Sequence, residues 1–154
     1  MTIAHRAPWE CTFAKEQRSR CLPGKIPRTD HQYFEILSLC ILQAGLSWAS
    51  VRNSWPRYRG AFLNFEIAKL AHAAPAALLR RPGALRNPKK VAALIANARE
   101  FERIRAEHGT FVRYLRTVKS GKDACTILQE RFKHVGPYTA EFYLHCVGRS
   151  LYGR

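Results

Sequence analysis

The chain has 154 residues, 47% of them hydrophobic, which is enough for the core of one domain and too apolar for a wholly disordered protein. Lys and Arg number 26 against 11 Asp and Glu, giving a net charge of +15. This excess repels itself unless a polyanion neutralises it, which indicates a nucleic acid partner; a basic surface without a specific partner stays open. No apolar run approaches the roughly 18 residues of a membrane span, and no signal peptide begins the chain, so no membrane partner is expected.

The five cysteines stand at positions 11, 21, 40, 125 and 146 and form no C-x-x-C pair. An odd number of scattered thiols does not suggest a disulfide framework, and two of them fall in apolar helical patterns where thiols serve as small core residues. The sequence therefore predicts a protein of the reducing cytoplasm.

Residues 1–26 show no periodicity and contain Pro8, Pro23 and a basic cluster, so they are predicted to form an irregular basic arm. A helical domain is predicted for residues 27–154. Its first helix is expected from the capping-box spacing of Thr29 and Gln32 to about Gly45. Ser47 is expected to cap a second helix, which Pro56 should break or kink, and a short helix is expected at residues 66–73.

The longest predicted helix begins with Asn87 as N-cap and Pro88 at the first position, and it ends at Gly109. Further helices are expected after Thr110, from Asp123 once Ser120-Gly121 has stopped the preceding one, and from Pro137. Alternation of the strand type is nearly absent, so the prediction is an all-α fold of seven or eight short helices.

The segment "ILQERFKHVGPYTAEFYLHCVG", residues 127–148, predicts two amphipathic helices joined by a short turn that holds Gly136. Glycine allows a sharp turn, and the free N–H groups of the following helix would point into the same space and bind an anion such as a DNA phosphate. An ordinary αα-corner also needs a glycine. The candidate DNA-binding residues here are Lys133, His134, Val135, Gly136, Tyr138 and Thr139.

The segment "CILQAGLSW", residues 40–48, begins like a buried helix but ends in an amide, a glycine, a hydroxyl and an indole. Such a sequence is either an irregular helix end or the wall of a pocket for a flat polar group. Trp48 is the candidate stacking face, although aromatic residues at helix junctions also pack in cores.

Together these segments resemble the 3-methyladenine DNA glycosylase I family of the helix-hairpin-helix DNA glycosylase superfamily. The matching pieces occur in family order over roughly residues 27–148: "FEILSLCILQAGLSW", "RYRGAFLNFEIAKLA", "RNPKKVAALIANARE", "GTFVRYL" and "FKHVGPYTA". The resemblance implies a compact two-lobed helical fold with a helix-hairpin-helix at about residues 123–148.

The resemblance also implies base-excision repair, with removal of alkylated purines, 3-methyladenine above all, by hydrolysis of the N-glycosidic bond and without a nucleotide or redox cofactor. An enzyme acting on a base must extract it from the stack and hold it by stacking and edge contacts. The residues expected to form this base pocket are Cys40, Gln43, Gly45, Ser47 and Trp48. Arg86, Lys89 and Lys90 are expected to contact phosphates, or else to form a solvated charged face.

Three departures from the family pattern accompany the resemblance. The family has a Glu on the pocket helix where this chain has Cys40, and Glu35, five residues earlier, is expected to face elsewhere. No Tyr or His occurs in "SRCLPGKIP", where the family has aromatic residues and a metal ligand. The third departure concerns metal, because members of the family often bind zinc through Cys and His. In this chain the candidate ligands are Cys11 and Cys21, and no metal site is expected from them. No side chain is assigned as catalytic.

The expected partner is double-stranded DNA with alkylated bases, bound by a cytoplasmic, nucleoid-associated monomer. The alternative is a non-catalytic DNA-binding or lesion-recognition protein on the same scaffold, which the loss of the family's Glu, Tyr and His favours. An RNA-binding module remains a third possibility.

Overall fold

Helices account for the regular structure of the described residues. The computed structural model describes residues 7–11 and 23–149, and these ranges contain no strand, which confirms the all-α prediction. The helices are α1 Asp30–Gln43, α2 Trp48–Ala61, α3 Ile67–Ala71, α4 Pro75–Leu79, α5 Pro88–His108, α6 Phe111–Arg116, α7 Gly121–Arg131 and α8 Pro137–Cys146. Two 3₁₀ turns span Pro8–Glu10 and Leu63–Phe65. Residues 1–6 and 12–22 of the predicted arm, with Cys21, lie outside the described residues.

The predicted N-caps are confirmed where side-chain chemistry decides them locally. The oxygens of Thr29, Ser47, Asn87 and Thr110 accept hydrogen bonds from backbone N–H groups three residues later. Each bond satisfies a donor that the first helical turn cannot satisfy itself. Gly109 ends α5 with a φ of 86°, as its position predicted.

Two predicted boundaries differ from the observed ones. Of the two effects predicted for Pro56, a break does not occur: α2 continues to Ala61, with Trp55 and Tyr58 on either side of the proline buried in the core. Helix α7 begins at Gly121 rather than at Asp123, since the hydroxyl of Ser120 accepts the N–H of Asp123 and serves as the cap. The patterns also did not single out α4.

Helix α5 is the central element, and it contacts α1, α3, α4 and α6. Fully buried aromatic rings fill the space around it. Phe34 packs edge to face on Phe101 with ring centroids 5.3 Å apart, and Phe101 stacks on Phe111 with centroids 4.4 Å apart. Helix α1 contacts both α5 and α8, while α7 pairs with α8. The hairpin and the end of α1 are therefore held by one core.

Polar contacts fix α1 within this arrangement. The carboxylate of Asp30 accepts the backbone N–H of Phe111 at 3.2 Å and so caps α6 across the core. The buried hydroxyl of Tyr143 donates to the carbonyl of Tyr33 at 2.9 Å, and burial raises the pKa of Tyr143 well above its ordinary value. Within the described ranges, none of the helices combines the length and apolarity that crossing a bilayer would demand.

Candidate functional site

The turn between α7 and α8 bends at a residue that the sequence did not indicate. His134 has the left-handed φ of 64°, whereas Gly136 has φ −90° and ψ −177°, a backbone conformation open to any residue. The prediction that Gly136 makes the sharp turn is therefore wrong. A Cβ built on Gly136 would meet nothing within 4 Å. Because glycine has no side chain, the backbone at Gly136 is left uncovered beside the start of α8.

Helix α5 holds this turn in place through two polar side chains on one face. The amide of Asn97, 1% exposed, accepts the N–H of Lys133 at 2.8 Å and donates to its carbonyl at 3.1 Å. One turn further, the carboxylate of Glu100 accepts from Arg131 at 2.6 Å and also pairs with Arg103. Asn97 was not among the predicted site residues. The feature of the sequence that could have indicated it is an amide within an apolar helical stretch.

Replacing Asn97 by alanine is expected to destabilise the protein by about 2–3 kcal/mol, because both backbone groups of Lys133 lose a partly buried partner. The loosened turn should also bind DNA more weakly. Asn53→Ala, at an exposed position in α2, is the matched control and should leave both properties unchanged. Thermal melting and DNA titration of the two variants check this, and equal melting temperatures for the two variants would contradict the assigned role.

A cavity lies beside the turn and the start of α8, where backbone donors are free. The first turn of α8 leaves N–H groups without intrahelical acceptors, and Pro137 itself has none to offer, so Tyr138 and Thr139 supply them. The cavity, about 600 Å³, is lined by Thr139 but not by Tyr138, and also by Ala44 at the end of α1 and by Glu130. Donors of this kind suit an anion.

The predicted hairpin residues differ in how accessible they are. Lys133, His134, Gly136 and Tyr138 are exposed and Thr139 is half-buried. Val135 is 8% exposed and belongs to the core, so its side chain is not available to a ligand.

Of the three basic residues predicted to contact phosphates at the start of α5, Arg86 and Lys89 are exposed but Lys90 is not. Lys90 is 5% exposed, and its ammonium donates to the carbonyls of Leu42 at 2.9 Å and of Ala44. Burial lowers the pKa of this ammonium below its ordinary value. The phosphate assignment of Lys90 is wrong, because its ammonium closes the carboxyl end of α1.

The polar residues at the end of α1 and in the turn after it have local structural roles. The amide of Gln43 donates to the carbonyl of Leu46 at 2.8 Å, and the hydroxyl of Ser47 accepts the N–H of Ser50 at 3.1 Å as the cap of α2. Gly45 follows the C-cap with a φ of 83°, and a Cβ there would meet nothing within 4 Å. Its conformation, not crowding by the chain, therefore calls for glycine.

Trp48 lies at the first position of α2 and is half-buried. The ring centroids of Trp48 and Phe142 are 5.4 Å apart, with an interplanar angle of 36°. Phe142 is nearly parallel to the exposed ring of Tyr138, and their centroids are 6.1 Å apart. These three side chains, which we call the aromatic row, join the end of the α1–α2 turn to the first turns of α8. The row leaves indole surface available beside the hairpin.

Cys40 lies inside the core. It is 3% exposed and lies near the thiols of Cys146 and Cys11, which together we call the thiol cluster. Burial raises the pKa of the Cys146 thiol well above its ordinary value, and the neighbouring thiols add to the rise. At the position of the family's base-reading Glu, this chain thus presents a covered thiol.

No three His, Cys, Asp or Glu side chains are grouped to hold a metal ion in the part of the chain with described structure. Of the two residues considered for zinc, Cys11 belongs to the thiol cluster and Cys21 is outside the described ranges.

The excess positive charge is concentrated in the middle of the chain. Residues 36–99 contain ten Lys or Arg but a single carboxylate, Glu66, which pairs with Lys69 at 2.6 Å. The loop after α4 packs against the end of α2, where Arg81 donates to the carbonyl of Gly60 at 3.1 Å. The exposed cations of this segment that have no carboxylate partner among the described residues, which we call the basic surface, are Arg52, Arg57, Arg80, Arg81, Arg86, Lys89 and Arg99.

Comparison with known proteins identifies relatives of this arrangement. The sequence model of a family described as methyladenine glycosylase matches residues 24–140, from the segment before α1 to the first turn of α8. A curated relative, DNA-3-methyladenine glycosylase 1 of Escherichia coli (strain K12), is 32% identical over 94 residues. That match covers 58% of this chain and 50% of the relative, so it spans half of the relative's length.

Solved structures share the fold. The structure of 3-methyladenine DNA glycosylase I from Staphylococcus aureus has a TM-score of 0.70 and 22% identity, covering 82% of this chain and 80% of that chain. A variant of 3-methyladenine DNA glycosylase I in complex with 3-methyladenine also has a TM-score of 0.70 and 22% identity, covering 89% of this chain and 84% of that chain. These likenesses confirm the predicted helical glycosylase fold.

Proposed function

Because the chain belongs to the methyladenine glycosylase family, we propose that it removes alkylated purines from DNA by hydrolysing the N-glycosidic bond. The observation that carries the proposal is the family match over residues 24–140, which includes the "QAGLSW" segment and the hairpin turn. We propose 3-methyladenine as the principal substrate, in keeping with the names of the curated relative and of the solved structures.

The aromatic row is the proposed base pocket. A damaged base that rotates out of the duplex would stack on the exposed part of the Trp48 indole, with Gln43 near the edge of the base. Gln43 already donates to Leu46, so its carbonyl oxygen is the group left to accept from the base. Gly45 and Ser47 shape this wall by ending α1 and starting α2.

The reaction does not require a strongly acidic side chain. A 3-alkylated adenine carries positive charge in the base, so it leaves as a neutral molecule without protonation by a strong acid. Binding that favours the separating sugar and base can lower the barrier, and water completes the hydrolysis. We therefore assign no side chain as catalytic and propose a reaction without a cofactor.

Double-stranded DNA would be held by two separate groups of donors. The backbone N–H groups at the start of α8 and the exposed Lys133 would grip one phosphate, and the basic surface would contact others. A monomer is sufficient for this, and the cytoplasmic nucleoid is where its substrate would be found.

Abasic sites are the product that tests the proposal. Duplex DNA treated with a methylating agent should accumulate alkali-sensitive sites when it is incubated with the protein, and untreated duplex should not. Binding of methylated duplex without any gain in alkali-sensitive sites would contradict the proposal.

A second candidate, a lesion-recognition protein without catalysis, is favoured by one observation. Cys40 replaces the family's Glu with a thiol that is buried in the core and accepts hydrogen bonds poorly. Such a protein would bind methylated DNA more tightly than unmodified DNA and leave its glycosidic bonds intact. The assay of abasic sites separates the two candidates.

A further inference from the structure

A cavity of about 500 Å³ lies between the amino-terminal part of α1, the end of α2 and residues 7–9. Its volume is within the range of about 300–1,000 Å³ that small-molecule sites occupy. It is lined by Trp9, Trp55 and Glu35, and it includes none of the residues of the aromatic row. Glu35 thus faces this cavity, and the proposed function gives it no role.

The carboxylate of Glu35 is held in one orientation and keeps one oxygen free. Its Oε1 accepts the indole N–H of Trp55 at 2.9 Å and the guanidinium of Arg59 at 2.7 Å. Within residues 7–11 and 23–149, no group donates a hydrogen bond to Oε2. The side chain is only 16% exposed, so this oxygen is a preorganised acceptor that still lacks a donor.

A donor lies one helical turn before this acceptor. The Oε1 atom of Gln32 accepts the backbone N–H of Arg28 at 2.7 Å, which fixes the orientation of the amide and leaves its NH₂ group free to donate. Gln32 and Glu35 are three residues apart on α1, so their side chains are neighbours on one face. Side by side, they match the alternating donors and acceptors along the edge of a nucleobase.

The walls of the cavity suit the face of a base. Trp9 is half-buried against the core and turns part of its indole toward the cavity. Trp55 is 3% exposed and stacks on Phe65 with ring centroids 4.6 Å apart, so little of its indole is available to a ligand. Trp9 is therefore the stacking surface.

The charge at the cavity mouth is positive. Arg59 is neutralised by Glu35, but Lys25 and Arg28 are exposed and have no carboxylate partner among the residues with described structure. Two unpaired cations beside a flat polar site favour a phosphate attached to the base and disfavour a cationic base. This charge separates the cavity from the proposed pocket for alkylated purines.

We propose that this cavity is a binding site for a single nucleotide. The edge of an uncharged base would donate to Oε2 of Glu35 and accept from Gln32, its face would lie on Trp9, and its phosphate would meet Lys25 and Arg28. The nucleotide is either free or an unpaired member of a DNA strand. The inference does not depend on glycosidic bond cleavage.

Calorimetric titration with dAMP tests the site, with 2-deoxyribose 5-phosphate and deoxyadenosine as partial ligands. We expect dAMP to bind at least tenfold more tightly than either, because both parts of the site are engaged together. Glu35→Gln keeps the Oε1 acceptor for Trp55 but places a donor where the base N–H should bind, so affinity for dAMP should fall about tenfold. Arg28→Gln, at an exposed position, should lower the affinity for dAMP to a similar extent without changing the melting temperature.

Lys122→Gln removes an exposed cation of α7 and is the matched control, for which affinity should not change. Competition by a single-stranded tetranucleotide, but not by the same sequence in a duplex, would identify an unpaired DNA nucleotide as the source; competition by neither would identify the free nucleotide. Equal affinities for dAMP and deoxyribose phosphate, no binding of dAMP, or an equal loss in Lys122→Gln would overturn the proposal. Base release by the wild-type protein is measured separately, so failure of the site and failure of the proposed function are distinguishable.

Discussion

Replacing Trp48 by alanine is expected to slow base release by about 10- to 100-fold, since stacking of one base on an aromatic face contributes roughly 1–3 kcal/mol. This stacking energy offsets the loss of stacking in the duplex when the base rotates out. Affinity for unmodified DNA should persist with the same dependence on salt, because it rests on phosphate contacts away from the indole. Single-turnover base release and salt-dependent DNA titration, on one preparation, measure both properties.

Thermal melting distinguishes a base pocket from ordinary packing at this position. Trp48 is half-buried with one ring contact to Phe142, so its loss should cost less than the roughly 3–5 kcal/mol of a fully buried tryptophan. Trp48→Phe keeps an aromatic face and should retain most of the activity. Joint loss of stability, DNA affinity and base release in Trp48→Ala would assign the residue to the core instead.

Replacing Gly136 by aspartate is expected to weaken DNA binding at least tenfold. The substitution places a negative charge beside the free N–H groups of α8, where a phosphate is proposed to bind, so an attractive contact becomes a repulsive one. Gly136→Ala is an unusually clean control, because the backbone has φ −90° and the added Cβ would meet nothing within 4 Å. Both variants should fold with unchanged helicity and melting temperature.

Titration of the two variants with the same duplex decides the role of the hairpin. Alanine should lower affinity far less than aspartate, since it adds volume but no charge. If aspartate binds DNA as tightly as the wild-type protein does, the hairpin has no part in gripping phosphate, and the basic surface must account for binding alone.

The helices were predictable because their ends are decided by local chemistry. The caps at Thr29 and Asn87 depend on a side chain and an N–H group three residues away, and both are visible in the sequence. The position of Pro56 was misleading, since burial of Trp55 and Tyr58 holds α2 together across it. Tertiary packing overrode a local preference there.

The candidate site was less predictable, because the direction of a side chain depends on distant elements. Lys90 looked like a surface cation beside Lys89, but it reaches the end of α1, 46 residues earlier in the chain. Cys40 was placed in the base pocket by family register, but it is buried in the core near Cys11 and Cys146, which come from opposite ends of the chain. The roles of Trp48 and Gly136 in binding remain predictions.

Glu35 also shows that the surroundings of a side chain depend on distant elements, here at a residue that was not predicted to belong to a site. Its spacing from Cys40 correctly suggested a different face of α1, but the sequence could not show that Trp9, Trp55 and Arg59 surround that face. The carboxylate is held in one orientation by Trp55 and Arg59, which its sequence neighbours do not indicate.

The central claim is that this chain cleaves the glycosidic bond of 3-methyladenine, and the identity of the released molecule tests it most directly. Methylated duplex DNA is incubated with excess protein, and the small-molecule fraction is analysed by mass spectrometry over time. We predict free 3-methyladenine that accumulates in step with abasic sites and at least tenfold more slowly with Trp48→Ala. Tight binding of the same DNA with no free methylated base at any time would contradict the claim and identify a protein that recognises lesions without removing them.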